Sequence, residues 1–305
     1  MRLVVLDSVL IDLTLRVDAL PDRGGDVRSE GSSLSVGGGF NVLAAVRRQG
    51  VEALYAGHLG DGPFAELARA ALAAEGVGVL DRAEGGPDLG VCVVVVDGGG
   101  ERTFITAPGA ELALDPSSLA TLELVADDYL YLSGYNLAHP ELARVISPWF
   151  ESVPEYVTVA FDLGARFADA DPSVLAKVLT RTDWLLANTN ESRALTGLDD
   201  LGAVARDLRG RVRRGVVIHD GAAGCVVASG GVVNRVTGYP ARVVDSNGAG
   251  DAHNGVFLAG LANGLTAVEA ADRANGAAAM AIEAHGPATA PTAASLDAWF
   301  ESVRA

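Results

Sequence analysis

Short continuous apolar runs alternate along the chain with longer segments whose apolar residues recur every three or four positions, and the two periods divide it into strands and helices. Leu3 to Leu6 is an uninterrupted apolar run stopped by Asp7, the pattern of a parallel strand buried on both faces. Leu13, Leu15 and Val17 then alternate with Thr14 and Arg16, which predicts a strand with one exposed face that leaves the core. A bend at Gly24-Gly25 and the polar segment Val27 to Ser35 continue this excursion until Gly37 to Gly39 returns the chain. A helix is expected from Val42 to Gln49, where Val42, Ala45 and Val46 share a face and Gly50 ends it. Leu54 to Ala56 is the next strand and Pro63 to Glu75 the next helix, with Pro63 at a permitted first position and Gly76 at the stop.

Asp97-Gly98-Gly99-Gly100 joins the apolar runs Gly90 to Val96 and Arg102 to Ile105 as a hairpin. With the earlier excursion, these strands predict a small sheet packed over the core. Beyond it the alternation is regular, with strands at Tyr129 to Leu132, Val157 to Phe161, Trp184 to Leu186, Val216 to His219 and Cys225 to Ala228 and helices between them. Ala68 to Ala74 and Ala277 to Ala281 read as tightly packed helices, and Leu296 to Val303 as a closing one. The fold class is therefore α/β, a mostly parallel sheet with helices on both faces and ligands at the C-terminal edge of the strands.

Composition narrows the function. At 305 residues and 49% hydrophobic content, the chain can bury the core of one large domain. A net charge of −16 argues against a nucleic acid or an anionic membrane as partner, since both would be repelled. Lys177 is the only lysine and no Gly-Lys pair occurs, which excludes a Walker-type phosphate loop. Cys92 and Cys225 lie in apolar runs and read as buried, reduced thiols rather than a disulfide or a nucleophile. The N-terminal apolar run is too short for a signal sequence, and no stretch approaches the roughly 18 apolar residues of a membrane span, so a cytoplasmic protein is expected.

The sharpest chemical signal is Asp245-Ser246-Asn247-Gly248-Ala249-Gly250-Asp251, where a strand expected at Ala241 to Val244 turns into a helix. Unpaired N–H groups at such a turn converge on one point and favour an anion, and glycine lets a ligand approach the backbone. Asp251 beside an anion site would repel it unless the carboxylate has a task of its own, and proton abstraction is such a task. The plainer reading is a helix N-terminus with a glycine turn and an acid in its first turn. Gly37-Gly38-Gly39 followed by Asn41 likewise reads either as a close approach to a polyol or as a flexible loop capped by Asn41. Asn188 with Glu191 reads as a carboxylate that holds water on Mg²⁺ or as a capping box.

The run from Asp245 to Gly255 resembles the second signature of the ribokinase-like (PfkB) carbohydrate kinases, Val36 to Ala45 resembles the first, and Asn188-Thr189-Asn190-Glu191 with Leu195-Thr196-Gly197 matches the family's Asn-x-x-Glu element. Three motifs in the right order span most of the chain. The resemblance implies a ribokinase-like three-layer fold in one domain, with a mostly parallel central sheet flanked by helices and a small β-sheet lid drawn from about residues 13–36 and 88–108. It implies ATP-dependent transfer of the γ-phosphoryl group to a primary hydroxyl of a sugar or polyol. Asp251 would be the base, and Gly248, Ala249 and Gly250 the anion hole. Asp12, Gly37, Gly38, Gly39 and Asn41 would bind the sugar, joined by Arg166 from a segment like the family's Asp-x-Asn-x-Arg. Asn188, Gly221, Gly224 and Asn275 would meet the nucleotide, Glu191 would serve Mg²⁺ through water, and Asp245 with residues 284–286 would face a monovalent cation such as K⁺. A homodimer joined through the lids is expected too.

Three departures qualify the match. Leu10 stands where ribokinases carry asparagine, Gly164 replaces the asparagine before Arg166, and His253 replaces phenylalanine on a face that should point away from Asp251. The first weakens ribose as the substrate. A nucleoside kinase of the same fold is the alternative, for which Phe104 is the lid's only aromatic, and a silent sugar-binding protein is a further one.

Overall fold

The computed structural model describes residues 2–80 and 85–304. In chain order the strands are β1 (Arg2–Leu6), β2 (Val9–Arg16), β3 (Gly31–Gly38), β4 (Glu52–Tyr55), β5 (Gly78–Val79), β6 (Val91–Val96), β7 (Arg102–Ala107), β8 (Tyr129–Ser133), β9 (Thr158–Asp162), β10 (Trp184–Asn188), β11 (Gly215–His219), β12 (Gly224–Ser229) and β13 (Val232–Thr237). The helices are α1 (Gly39–Arg48), α2 (Pro63–Ala74), α3 (Pro116–Ala120), α4 (Gly134–Ala138), α5 (Pro140–Phe150), α6 (Pro172–Arg181), α7 (Thr189–Thr196), α8 (Leu201–Arg209), α9 (Ala249–Ala262), α10 (Ala267–Ala281) and α11 (Ala293–Arg304).

Nine strands form the main sheet in the order β13-β12-β11-β10-β9-β8-β1-β4-β5. All its pairs are parallel except β11 with β12 and β12 with β13. The apolar runs are continuous because both faces are covered. In β1, Leu3 and Val5 join the core against α1, α2, α9, α10 and α11, while Val4 and Leu6 join the core against α3 to α8. The chain leaves β1 toward β4 and β5 on one side and returns at β8 on the other. The order therefore reverses between β1 and β8, and a crevice opens at their C-terminal ends. Helices α1 and α9 meet very closely: a Cβ at Gly255 would lie 2.5 Å from that of Ala45 and 3.0 Å from the Val42 carbonyl oxygen.

The second sheet, β3-β2-β6-β7, is the expected lid. Its register places Asp12, Cys92 and Thr106 on one face with Val94 and Phe104, and Leu13, Val93, Ile105 and Leu34 on the other. Strand β2 begins at Val9, four residues before the expected start, so Asp12 is a lid residue.

Several expectations need correction. Residues 241–244 form no strand, and Val244 and Asp245 instead donate their N–H groups to the Ile282 carbonyl at 2.8 and 3.1 Å. The polar segment from Gly31 contains a real strand, β3, whose first four residues are exposed as an edge strand permits. Strand β13 is also an edge, and of its three valines only Val236 is buried. Helix α1 starts at Gly39, three residues early, so the glycine triplet enters the helix itself.

Candidate active site

Asp251 is the third residue of α9, half-buried, and its Oδ2 accepts a 2.8 Å hydrogen bond from Asn41 Nδ2. The close α1–α9 packing at Gly255 puts those two side chains within reach. Burial raises the Asp251 pKa, and the Asn41 amide opposes the rise. Asn41 is only 5% exposed, and its Oδ1 has no hydrogen-bond partner. A buried acceptor left open is costly in the empty protein and suits a ligand hydroxyl.

The glycine triplet lets α1 press against the end of β1. Gly38 has φ +64°, and a Cβ there would sit 2.2 Å from the Ser8 carbonyl oxygen. A Cβ at Gly37 would meet Asp12 Oδ2 at 2.4 Å, and one at Gly39 would meet Asp7 Cβ at 2.9 Å. These glycines therefore bring the protein's own carboxylates to the crevice as well as leaving a path for a ligand.

Two carboxylates that sequence reasoning missed lie here. Asp7 follows β1, and its Oδ1 accepts the Ser8 N–H at 2.8 Å. Burial, together with the charge of Asp251, lifts its pKa to about 7. Asp162 ends β9, accepts from Tyr131 Oη at 3.0 Å, and is pushed well above the usual carboxylate range by burial and by Glu191, Asp251 and Asp7. The signal for both was available: a charge that ends a buried parallel strand stands at the ligand edge of the sheet. Asp12 is raised to about 6, mainly by burial, with Asn247 opposing and Asp251 and Asp245 adding to it.

The N-terminus of α9 has no side-chain cap. Gly248 caps it with φ +74°, and a Cβ there would lie 1.8 Å from the Pro287 carbonyl oxygen, so this glycine is required by the fold. Gly250 differs: the nearest atom to a Cβ there is His219 Nδ1, at 3.9 Å. Helix geometry leaves the N–H groups of Gly250 and Asp251 without carbonyl partners, beside Ala249 whose N–H makes only a long 3.4 Å contact to Ser246. Space and donors for an anion thus coincide.

At the neighbouring edge Asn188 and Glu191 form a complete capping box. The Glu191 N–H donates to Asn188 Oδ1 at 2.9 Å, and Glu191 Oε2 accepts from the Asn188 N–H at 3.0 Å. Asn188 Nδ2 also donates to Glu191 Oε1 at 2.7 Å, and burial raises the Glu191 pKa. Gly221 opens the turn after β11 with no atom near its missing Cβ, whereas Gly224 is packed against Val236. Asn275 is taken up internally: its Nδ2 donates to the Val236 and Thr237 carbonyls at 3.1 and 3.2 Å, and its Oδ1 faces His253 Nε2 at 3.2 Å. Its amide braces β13 against α10, so a nucleotide contact would have to displace these bonds. The His253 ring lies tilted against that of His219, with centroids 4.5 Å apart. Burial keeps both neutral, His219 near a pKa of about 4 and His253 well below the usual value, as befits packing residues behind Gly250.

Two candidate residues are engaged differently from expectation. Arg166 pairs at the surface with Asp169 at 2.9 Å. Asp245 forms an ion pair with Arg102 of the lid, and its oxygens also accept the N–H groups of Asn247 and Gly286 at 2.9 and 3.1 Å. That donor set does not fit a monovalent cation, because the carboxylate is already neutralised and ringed by N–H groups. Among the described residues no cluster of three or more His, Cys, Asp or Glu forms a metal cage, and no helix is long and apolar enough to cross a membrane. Cys92 and Cys225 are free and buried, with burial lifting the Cys225 thiol to about 12.

The chain is 32% identical over 295 residues to an uncharacterized sugar kinase, YegV, of Escherichia coli strain K12, covering 95% of this chain and 91% of that one. It is 30% identical to an ATP-dependent ribose-1-phosphate kinase of Halopiger xanaduensis, with 98% of each covered. Among solved structures, ribokinase of Giardia lamblia superposes with a TM-score of 0.84 at 21% identity over 99% of both chains, which bears on the fold. The family model for pfkB family carbohydrate kinases matches residues 1–293, so a crevice with a carboxylate at an uncapped helix N-terminus, under a four-stranded lid, belongs here to a kinase: the chain is a member of the pfkB family of carbohydrate kinases.

Proposed function

We propose that the enzyme transfers the γ-phosphoryl group of ATP to a primary hydroxyl of an uncharged sugar or polyol, with Asp251 as the base. The observation that carries this is the uncapped N-terminus of α9 with Asp251 in its first turn, one oxygen held by Asn41 and the other left for a hydroxyl proton. The substrate hydroxyl gives its proton to Asp251 as its oxygen attacks. The Gly250 and Asp251 amides meet the charge on the transferring group. Asn41 Oδ1 and the Asp12 carboxylate accept from hydroxyls that do not react. Mg²⁺ supplies charge neutralisation on the phosphates; Glu191, both oxygens already in the capping box, would hold it only through water. The gathering of Asp7, Asp12, Asp162 and Asp251 at the crevice favours a neutral acceptor over a sugar acid or sugar phosphate.

A nucleoside is the second reading, and one feature favours it. Phe104 lies on the same lid face as Asp12 and is 55% exposed, so its ring is free to cover a base. ADP release measured against furanoses, keto-sugars, sugar acids, sugar phosphates and nucleosides separates these readings. Turnover confined to the charged acceptors would overturn the neutral-substrate assignment.

The outer lid face supports the expected homodimer. Leu13, Leu15, Leu34, Val93, Val95 and Ile105 share it, with Leu34 48% and Ile105 62% exposed. Leaving such a surface wet costs about 25 cal/mol for each Å². Face-to-face pairing of two lids removes that cost. Sedimentation should show a dimer that Val93→Asp dissociates, and a monomeric wild type at micromolar concentration would refute the pairing.

A further inference from the structure

Arg102 opens β7 at the far end of the lid, on the face that looks into the crevice. Val96 pairs with it on one side and with Arg16 on the other, so two arginines stand in a row across the lid. Both reach the main domain. Arg16 Nη2 lies 2.8 Å from His285 Nδ1; Arg102 donates to Asp245 Oδ1 and, at 2.9 Å, to Ser246 Oγ. Asp245 in turn joins the two loops that carry the anion hole, through the N–H groups of Asn247 and Gly286. Those loops already touch at Gly248 and Pro287.

A cation bound at Asp245 would meet a guanidinium and the positive ends of two N–H dipoles, a repulsive site rather than an attractive one. We infer that Arg102 does the work a monovalent cation would do there: it fixes the loop of residues 245–248 and sets a positive charge behind the anion hole. Because that charge rides on the lid, the hole is complete only with the lid down over the acceptor. Phosphoryl transfer is then independent of K⁺ and coupled to lid closure. Arg102 is a positioning residue, acting through Asp245 and Ser246.

The test compares kcat in buffers free of Na⁺, K⁺ and ammonium, with about 0.1 M KCl or tetramethylammonium chloride added so that screening is matched. Wild type should change less than about twofold between the two salts, whereas Arg102→Met should lose roughly tenfold or more in kcat and regain part of it in KCl alone. Arg102→Lys keeps the charge and should keep cation-independent turnover. Melting of the ligand-free proteins gives a second reading that needs no acceptor: KCl should stabilise Arg102→Met over the tetramethylammonium control and leave wild type unmoved. This melting result stands even if no acceptor in the panel is turned over. Strong K⁺ activation of wild type, an unchanged kcat in Arg102→Met, or a K⁺ requirement in Arg102→Lys equal to that of Arg102→Met would each overturn the inference.

Discussion

Helices α7 and α9 both begin at the ligand edge, and each carries an acidic residue at its third position, yet the two N-termini are finished in opposite ways. In α7 the N-cap is Asn188, and the Glu191 carboxylate folds back to take the Asn188 N–H, so the protein satisfies its own donors. In α9 the N-cap is Gly248, which has no side chain to offer, and Asp251 turns instead to Asn41 of another helix. An acid at the third position is thus a cap when the N-cap residue can reciprocate. When that residue is glycine, the acid is released for chemistry and the amides are left for a ligand.

The contrast can be broken most sharply at the acid itself. Asp251→Asn keeps the Asn41 contact and should lower kcat by roughly 10² to 10⁴ without lowering the melting temperature, because it removes a carboxylate whose ionised form burial disfavours. Near-normal turnover would remove the base. The two glycines should then separate fold from function. Gly250→Ala has room for its methyl and should cut kcat/KM by about 10² with little change in melting, since it crowds the phosphate rather than the protein. Gly248→Ala, strained and in collision with Pro287, should destabilise the protein by about 1–3 kcal/mol. Equal melting temperatures for the pair would contradict the division of roles.

On the α7 side the expected effect is smaller and falls on stability. Asn188→Ala removes the reciprocal cap and should cost about 1 kcal/mol. Differential scanning calorimetry reads this as a shift of about 2 °C, and an unshifted transition would show the box to be idle.

The same crevice also gives a dependence on pH. Asp7 and Asp12 have folded-state values of about 7 and about 6, above the roughly 3.9 of an unfolded chain. Between those limits the native state binds more protons, so their contribution is fully present below the unfolded value and is lost as pH rises through the folded ones. The ligand-free protein should melt higher at about pH 5 than at pH 8, while activity falls over the same interval as the acidic cluster takes up protons. Replacing both residues with asparagine should flatten the melting profile.

Local pattern carried much of this. The uncapped start of α9, the hairpin at Asp97 to Gly100 and the alternation of strands and helices are written in neighbouring residues, where glycine, proline and period speak directly. The misread pieces are edges and distant partners. Strands β3 and β13 are edges that bury few residues, and residues 241–244 look like a strand but the chain gives the Val244 N–H to the Ile282 carbonyl instead of to a ladder. Asn41 could be named as a site residue, but its partner Asp251 lies 210 positions away. The Asp245 carboxylate pairs with Arg102, 143 positions off. Such pairings depend on the register of two sheets, which no local window contains.

The central place of β1 also bears on how the protein is made. Strand β1 is flanked by β4 and by β8, and its neighbour α1 packs against α9 from the far end of the chain. A nascent chain ending before residue 249 therefore exposes the apolar side of α1 that includes Val42 and Val46, with the acidic crevice left half built. Closing those contacts needs chain ends separated by some two hundred residues, and such late, non-local closure slows folding and lengthens the time a sticky surface is exposed. Truncation within the last third should accordingly yield aggregates rather than a smaller stable domain, because α9 is also the wall that completes the core around α1.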